Sequence, residues 1–225
     1  MINLLSNLKI SVPDKIFIKD PESSTLGKRI VEHSILLIDA MGFDNFTFKK
    51  LGAEIGSNES SIYRYFESKH KLLVYLTSWY WAWIEYQLVF STHSLPDAGA
   101  QLKKAIEIVT QTTEEDVTFL HINEVKLNKI VINEYSKSYL TKDVDAENKD
   151  GYFVIYKRLV KRLKEMIQKV DPSYKFASSL ASTIVSGALH QHYLKDHFPT
   201  ITDCDETVTP AQFFENLVFN TLNTD

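Results

Sequence analysis

The sequence predicts an all-α protein of about nine helices, and three observations carry that prediction. Of 225 residues only 7 are glycine and 6 are proline, about half the usual share. That is too few for a sandwich or barrel that turns every ten residues. From Leu26 onward apolar residues recur at three- and four-residue spacing. Most of these periodic stretches open on a residue able to cap a helix, such as Thr47, Asn58, Ser68 or Thr209.

Length allows one or two domains with a sizeable core. The 25 basic and 29 acidic residues leave a net charge of −4. This argues against a wholesale polyanion binder but not against a local basic patch. The single cysteine, Cys204, excludes an internal disulfide and a cysteine zinc site, and suits a reducing compartment. No run approaches the roughly 18 apolar residues of a membrane span. The opening MINLLSNLKI lacks the basic region, apolar stretch and cleavage site of a secretory signal. A soluble, cytoplasmic protein with no membrane partner is expected.

Taken in order, residues 1–22 stand apart. Lys15-Ile16-Phe17-Ile18-Lys19 alternates with period two between Pro13 and Pro21, which predicts an extended arm docked on the body. Leu26, Ile30, Leu37, Ile38 and Met41 mark a helix with Gly42 as its stop. After a link from Phe43 to Phe46, Thr47 caps a second helix, Phe48 to Ile55, with Leu51 and Ile55 inward. Gly56-Ser57-Asn58 turns the chain, and Asn58 caps a third helix through Phe66. Ser68 caps a fourth, from Lys69 through an aromatic-rich stretch to about Phe90. Helices follow over Asp97 to about Thr112 and His121 to about Tyr139. TKDVDAENKDG reads as a charged loop overlapping a helix start. Gly151 to Val170 is helical and basic, Asp171-Pro172 breaks it, and Tyr174 to about His197 is long and rich in small residues. After an acidic loop, Pro199 to Val208, the run Thr209-Pro210-Ala211-Gln212 has the pattern of a capping box and opens the last helix.

Two short helices joined by a turn containing Gly56 fit a helix-turn-helix. Its second helix carries Glu59, Ser60, Ser61, Tyr63, Arg64 and Tyr65. Small polar residues at the start of such a helix can approach base edges, while Tyr and Arg reach phosphates. The helix N-termini at Thr47 and Lys69 offer free N–H groups to phosphate oxygens. In this stretch Lys49, Lys50, Arg64, Lys69 and Lys71 outweigh Glu54, Glu59 and Glu67 only slightly, and Lys28 and Arg29 extend the patch.

The stretch TFKKLGAEIGSNESSIYRYFESKHKLL, Thr47 to Leu73, resembles the signature of tetracycline-repressor-type (TetR family) regulators. The matching residues are Thr47, Gly56, Tyr63-Arg64-Tyr65-Phe66 and Ser68-Lys69, preceded by Ala40-Met41-Gly42-Phe43 in matching spacing. The resemblance covers about a quarter of the chain. It implies phosphate contacts by Thr47, Tyr63 and Lys69, base contacts from the start of the recognition helix, and core positions for Leu51 and Phe66. The candidate DNA-binding set is therefore Thr47, Lys49, Asn58, Glu59, Ser60, Ser61, Tyr63, Arg64 and Lys69. The sequence departs from the pattern at Gly52, where alanine is usual and glycine should loosen the helix by about 1 kcal/mol. It departs again at Ser57, in place of an aliphatic residue, and at Ser60, in place of glycine or alanine. Glu59 brings a negative charge to the groove face. It can accept a hydrogen bond from a cytosine amino group or act on the helix dipole, and the second reading is favoured.

The resemblance divides the chain into the arm, a helix-turn-helix domain over residues 23–72, and a ligand-binding and dimerisation domain over residues 73–225. All three tryptophans, Trp79, Trp81 and Trp83, fall within five residues. Rings with polar tips can line a cavity or fill a core. The pocket candidates are Trp79, Trp83, Tyr86, Phe119, Tyr135 and Tyr156. The resemblance places the last two long helices, the first of which carries the small-residue run ASSLASTIVSGAL, in a dimer interface and implies the candidates Leu180, Ile184, Gly187, Ala188, Gln191, Phe213, Phe214 and Leu217. Dimerisation has a separate physical motive, since one short recognition helix reads few base pairs and two copies about 34 Å apart read a palindrome.

Two further clusters have simpler readings. Lys157, Arg158, Lys161, Arg162, Lys164 and Lys169 lie opposite the stripe Tyr152, Ile155, Leu159, Leu163, Met166 and Val170, as on a solvated helix face. His190 and His192 point apart on a helix, and His197 lies two turns from His190, so packing is favoured over a metal site. No phosphate loop, metal-ligand motif or partner for a cysteine nucleophile is present. No enzyme activity, catalytic residue, cofactor or metal is expected. The expected function is a homodimeric, ligand-responsive DNA-binding regulator, most simply a repressor on a palindromic double-stranded operator, released by a small-molecule effector. The alternative is a helical small-molecule-binding protein, or a regulator acting through a protein partner without specific DNA binding.

Overall fold

A computed structural model describes residues 10–112 and 121–222. Among the described residues the order is α1 (Thr25–Asn45), α2 (Phe48–Glu54), α3 (Glu59–Tyr63), α4 (Lys69–Thr92), α5 (Ala98–Thr110), α6 (Glu124–Tyr139), α7 (Val144–Lys149), α8 (Val154–Val170), α9 (Ala177–His197) and α10 (Pro210–Thr221), with no strand. The all-α prediction holds. The helix beyond the expected nine is α7, which the charges of TKDVDAENKDG had suggested was mostly loop.

Local chemistry explains most helix starts. Side-chain oxygens of Ser24, Thr47, Asn58, Asp97, Asn123 and Thr209 accept from backbone N–H groups of the first turns of α1, α2, α3, α5, α6 and α10. At α10 the capping box is complete, because the Gln212 side chain accepts in turn from the Thr209 N–H.

Other boundaries differ from expectation. The third helix ends at Tyr63, not Phe66, while α6, α8 and α9 begin about three residues later than their apolar patterns suggested. Gly42 stops the first stretch of α1 as expected, being non-helical at φ 75°, but one further turn carrying Phe43 follows it. Residues 13–23 are not an extended arm. They form two single 3-10 turns, Asp14–Ile16 and Pro21–Ser23. Pro13 and Pro21 fix φ, and Asp20 accepts from the Glu22 N–H. Ile16 is consequently buried while Ile18 is 65% exposed, which breaks the period-two face.

The chain forms two compact units. Of the described residues, the first comprises 10–80 and 121–155, the second 81–112 and 156–222. The first unit holds α1, α2, α3, the start of α4, α6 and α7. Its core includes Ile30, Ile35, Phe46, Leu51, Ile62, Phe66 and Leu73, together with Leu127 and Val131 of α6. The turn ahead of α1 lies so close that a Cβ on Gly27 would stand 2.2 Å from the Pro21 carbonyl oxygen. Phe17 meets Tyr75 edge-on at 6.1 Å.

In the second unit α5, α9 and α10 pack on one another. Leu102, Ala105 and Ile106 of α5 are buried, as are Ala181, Ile184, Val185 and Ala188 of α9 and Phe214 and Val218 of α10. Gly187 permits the α9–α10 contact, since a Cβ there would stand 2.7 Å from Phe214 Cζ. In α8, Leu159, Leu163 and Ile167 are fully buried. The inner stripe thus turns through Ile167, whereas Met166 is only partly covered. Arg158 and Arg162 of the opposite face converge on Glu85 of α4. Arg158 Nε donates to both carboxylate oxygens at 2.7 and 2.8 Å, and Arg162 Nε donates at 2.6 Å. Burial pushes the Glu85 carboxyl up, but these hydrogen bonds outweigh it and hold the group below its ordinary range.

His192 is buried, and its Nε2 lies 2.7 Å from the Thr110 carbonyl, so it ties α9 to α5. Burial holds its pKa below the ordinary histidine value. A folded-state pKa below the unfolded one means that the unfolded chain takes up protons first as pH falls. Thermal stability should therefore drop between pH 7 and pH 5, and His192→Gln should flatten that part of the profile. Melting curves across this range check it.

Candidate nucleic-acid interface

The helix-turn-helix is α2, the turn at residues 55–58, and α3. Gly56 takes φ 60°, the left-handed conformation the turn requires. Gly52 faces the turn. Its carbonyl accepts from the Ser57 N–H at 2.8 Å, and a Cβ would stand 2.8 Å from the Ser57 oxygen. The glycine expected to loosen α2 instead admits the close return of the chain. Arg29 Nη2 donates to the Ile55 carbonyl at 2.7 Å, closing the end of α2 from α1.

On the outer surface Thr47, Lys49, Asn58, Ser60, Tyr63 and Arg64 are exposed, and Glu59 and Ser61 are partly covered. Thr47 Oγ1 accepts from the Lys50 N–H, which leaves its own proton free to donate. The Tyr63 ring packs edge-on against buried Phe48 at 5.0 Å, and its hydroxyl donates to Glu59 Oε1 at 3.4 Å. Asn58 Oδ1 gathers three donors: the Ser61 N–H, the Ser60 hydroxyl and the Ser61 hydroxyl, at 2.9, 2.8 and 2.6 Å. Among the described residues Lys49 and Arg64 have no ion pair or hydrogen-bond partner for their charged heads.

Two residues of the signature are placed differently from expectation. The Lys69 ammonium does not stand free for phosphate. It donates to the carbonyls of Phe43, Asp44 and Phe46 at 3.0, 3.1 and 3.2 Å, and lies 4.8 Å from the Phe43 ring centre. Only its backbone N–H, at the start of α4, is available to an anion. Tyr65 is buried rather than turned to the groove, and its hydroxyl is 2.8 Å from Ser24 Oγ.

The link between α1 and α2 is also held by α6. Gly42 directs the Phe43 N–H out of the helical ladder, where it donates to Glu134 Oε1 at 3.1 Å. Lys137 Nζ bridges Asp44 Oδ2 at 2.8 Å and Glu134 Oε2 at 2.9 Å. The hydrogen bond from Lys137 is the main cause of the lowered Asp44 pKa. Sequence reasoning missed Glu134 and Lys137, and it placed Arg29 in the basic patch rather than on the Ile55 carbonyl. Only the three-residue spacing of Glu134 and Lys137 is a local signal, and it does not name their targets.

The remaining candidates are distributed as follows. Trp79 and Tyr135 lie in the first unit, and Trp83, Tyr86 and Tyr156 in the second. Phe119 lies outside the described residues. Trp79 and Trp83 are each 2% exposed, whereas Tyr86, Tyr135 and Tyr156 are half-buried. A groove of about 530 Å³ on the second unit is lined instead by Lys103, Gln212, Glu215, Asn216, Phe219 and Asn220. Of the dimer candidates, Leu180, Ile184, Ala188 and Phe214 are buried in the chain's own core and cannot face a partner. Gly187 accommodates Phe214 rather than a second copy. Gln191 is half-buried and accepts from the Thr202 hydroxyl at 2.6 Å. Phe213 and Leu217 are exposed. The resemblance points to these helices, but an apolar stripe does not say which surface it meets.

Residues 30–76 match the family model of bacterial regulatory proteins of the tetR family. No curated protein matches the chain. Among solved structures, a putative transcriptional regulator from Saccharomonospora viridis in complex with choline has a TM-score of 0.60 at 16% identity. The match covers 90% of this chain and 98% of that one. AibR in complex with isovaleryl coenzyme A and operator DNA has a TM-score of 0.56 at 15% identity, over 88% of this chain and 100% of that one. The superantigen PfiT has a TM-score of 0.60 at 16% identity, over 92% and 100%. These likenesses show a shared fold.

Two substitutions test the local account. Gly52→Ala should lower the melting temperature, because the clash with the Ser57 backbone outweighs the roughly 1 kcal/mol that alanine gains in a helix. Lys69→Ala should also lower it by leaving three carbonyls without their donor. A melting temperature raised by Gly52→Ala, or unchanged by Lys69→Ala, contradicts the corresponding contact.

Proposed function

Since this chain carries, over residues 30–76, the N-terminal domain of the tetR family of bacterial regulatory proteins, we propose that it is a homodimeric transcriptional repressor of a palindromic operator, released by a small organic effector. The observation that carries this reading is the exposed surface of α2 and α3. There Thr47, Lys49, Tyr63 and Arg64 flank a short recognition helix whose polar first turn stands clear of the core. Thr47, Lys49 and Arg64 would grip phosphates, with the Lys69 backbone N–H as a further donor, while Tyr63, whose hydroxyl is given to Glu59, would flank them. Asn58, Glu59, Ser60 and Ser61 would face base edges.

Two copies are needed to span successive major grooves. The surface favoured for pairing is the outer side of α9 and α10. It joins the small exposed residues Ser179, Thr183 and Ser186 to Phe213 and Leu217, which are 43% and 36% exposed. Small residues allow close helix approach, and the two larger side chains supply apolar area.

Complexes of similarly folded proteins with choline and with isovaleryl coenzyme A support response to a small ligand. Trp83, Tyr86 and Tyr156 of the second unit are the aromatic groups proposed to meet it. Release requires that the effector bind the DNA-free arrangement more tightly than the bound one, since equal affinity for both would shift nothing.

A gel shift on DNA upstream of the chain's own gene, at several fixed salt concentrations, tests the reading. Lys49→Ala and Arg64→Ala should each weaken binding about equally on all sequences. Each should also lower the salt slope by about one per copy. Neither should move the melting temperature, because neither cation has a partner in the free protein. Affinity and slope unchanged in both variants would remove this surface from the interface.

A further inference from the structure

We infer that Glu59 is the specificity-determining residue of the recognition helix and that it reads a cytosine in the major groove. The inference rests on the DNA-binding reading above. Its first support is that the Glu59 carboxylate makes no capping hydrogen bond to α3. Asn58 Oδ1 already takes the Ser61 N–H, and among the described residues no backbone N–H donates to the Glu59 carboxylate. What holds that carboxylate is the Tyr63 hydroxyl at 3.4 Å, on a ring fixed edge-on against buried Phe48. Glu59 is thus oriented by a side chain that is itself positioned, and Oε2 has no partner among the described residues.

The second support is the sense of the surrounding hydrogen bonds. The Ser60 and Ser61 hydroxyls both direct their protons to Asn58 Oδ1, so their oxygens can present only lone pairs outward. An ionised carboxylate is also acceptor-only. The first turn of α3 therefore meets a base edge chiefly as a row of acceptors. Guanine shows two acceptors in the major groove, and thymine shows an acceptor beside a methyl group. Adenine sets an acceptor beside its amino group. Cytosine alone shows a donor with no acceptor of its own next to it. An acceptor-only side chain thus fits cytosine N4 best, since at adenine it would also meet the N7 acceptor, and guanine and thymine offer it no donor. The same negative charge is repelled by phosphates, so Glu59 gains discrimination at the expense of general affinity.

Selection of bound duplexes from a random pool tests this with the full chain, Glu59→Ala and Glu59→Gln. The wild type should favour cytosine about tenfold at one position of each half-site. Glu59→Ala should level that position and bind DNA lacking the cytosine more tightly than the wild type does. Glu59→Gln should move the preference toward adenine, whose paired donor and acceptor suit an amide. The melting temperature of Glu59→Ala should stay near that of the wild type, because the Asn58 cap remains. A wild type that enriches a defined sequence with the same base preferences in Glu59→Ala overturns the assignment of Glu59 while leaving the DNA-binding reading intact. Enrichment of no sequence by the wild type overturns both.

Discussion

The position of the recognition helix depends on how the chain leaves α1. A helix that simply ended would present its last carbonyls to water. Here Gly42, at φ 75°, breaks the ladder while one more turn follows, and the carbonyls of Phe43, Asp44 and Phe46 converge on the Lys69 ammonium. One cation fixes both ends of the helix-turn-helix, because these carbonyls lead directly into the Thr47 cap and Lys69 begins the helix that follows α3. From the other side Glu134 takes the N–H that Gly42 releases, and Lys137 holds Asp44. The reading head is therefore fixed to α6, ninety residues away in sequence. This accords with residues 121–155 belonging to the same compact unit as residues 10–80.

Much of this was legible in the sequence wherever the cause is local. The caps at Thr47, Asn58 and Thr209 are set by a side chain three residues from its target, and each appears where the residue type suggested. The turn at Gly56 is likewise a property of one residue. Contacts that pair distant segments left no comparable trace. Gly187 was read as part of a surface for a second copy, whereas its missing Cβ makes room for Phe214. The resemblance makes Lys69 a phosphate ligand, yet its ammonium turns back to α1. In both cases composition gave the property of the side chain, and only the fold gave its neighbour.

The basic residues of α8 show the same distinction. Their spacing separates them from the apolar stripe, as expected of a solvated face, but Arg158 and Arg162 do more than face solvent. Glu85 is 5% exposed, and a carboxylate so placed needs partners. The two guanidiniums supply them and tie α8 to the second half of α4. Lys161 pairs with Glu165 at 3.7 Å, so the charge open to a partner is smaller than the count of basic residues suggests.

The same reasoning bears on the reading head and on the need for two copies. Within residues 46–71, Lys50 donates to the Asn45 carbonyl at 2.8 Å, Lys69 serves three carbonyls, and Lys71 lies 3.7 Å from Glu147. Lys49 and Arg64 remain for phosphate, beside a recognition turn dominated by acceptors. Phosphate affinity grows with the number of counterions displaced, and two cations displace few. On the proposed function, a head built this way would hold DNA weakly wherever the bases are wrong and gain from them only where amino groups meet its acceptors. Joining two such heads doubles the number of phosphate contacts and requires both half-sites to match. On that reading useful affinity would come from pairing rather than from charge, which reconciles a mildly acidic chain with the reading of DNA.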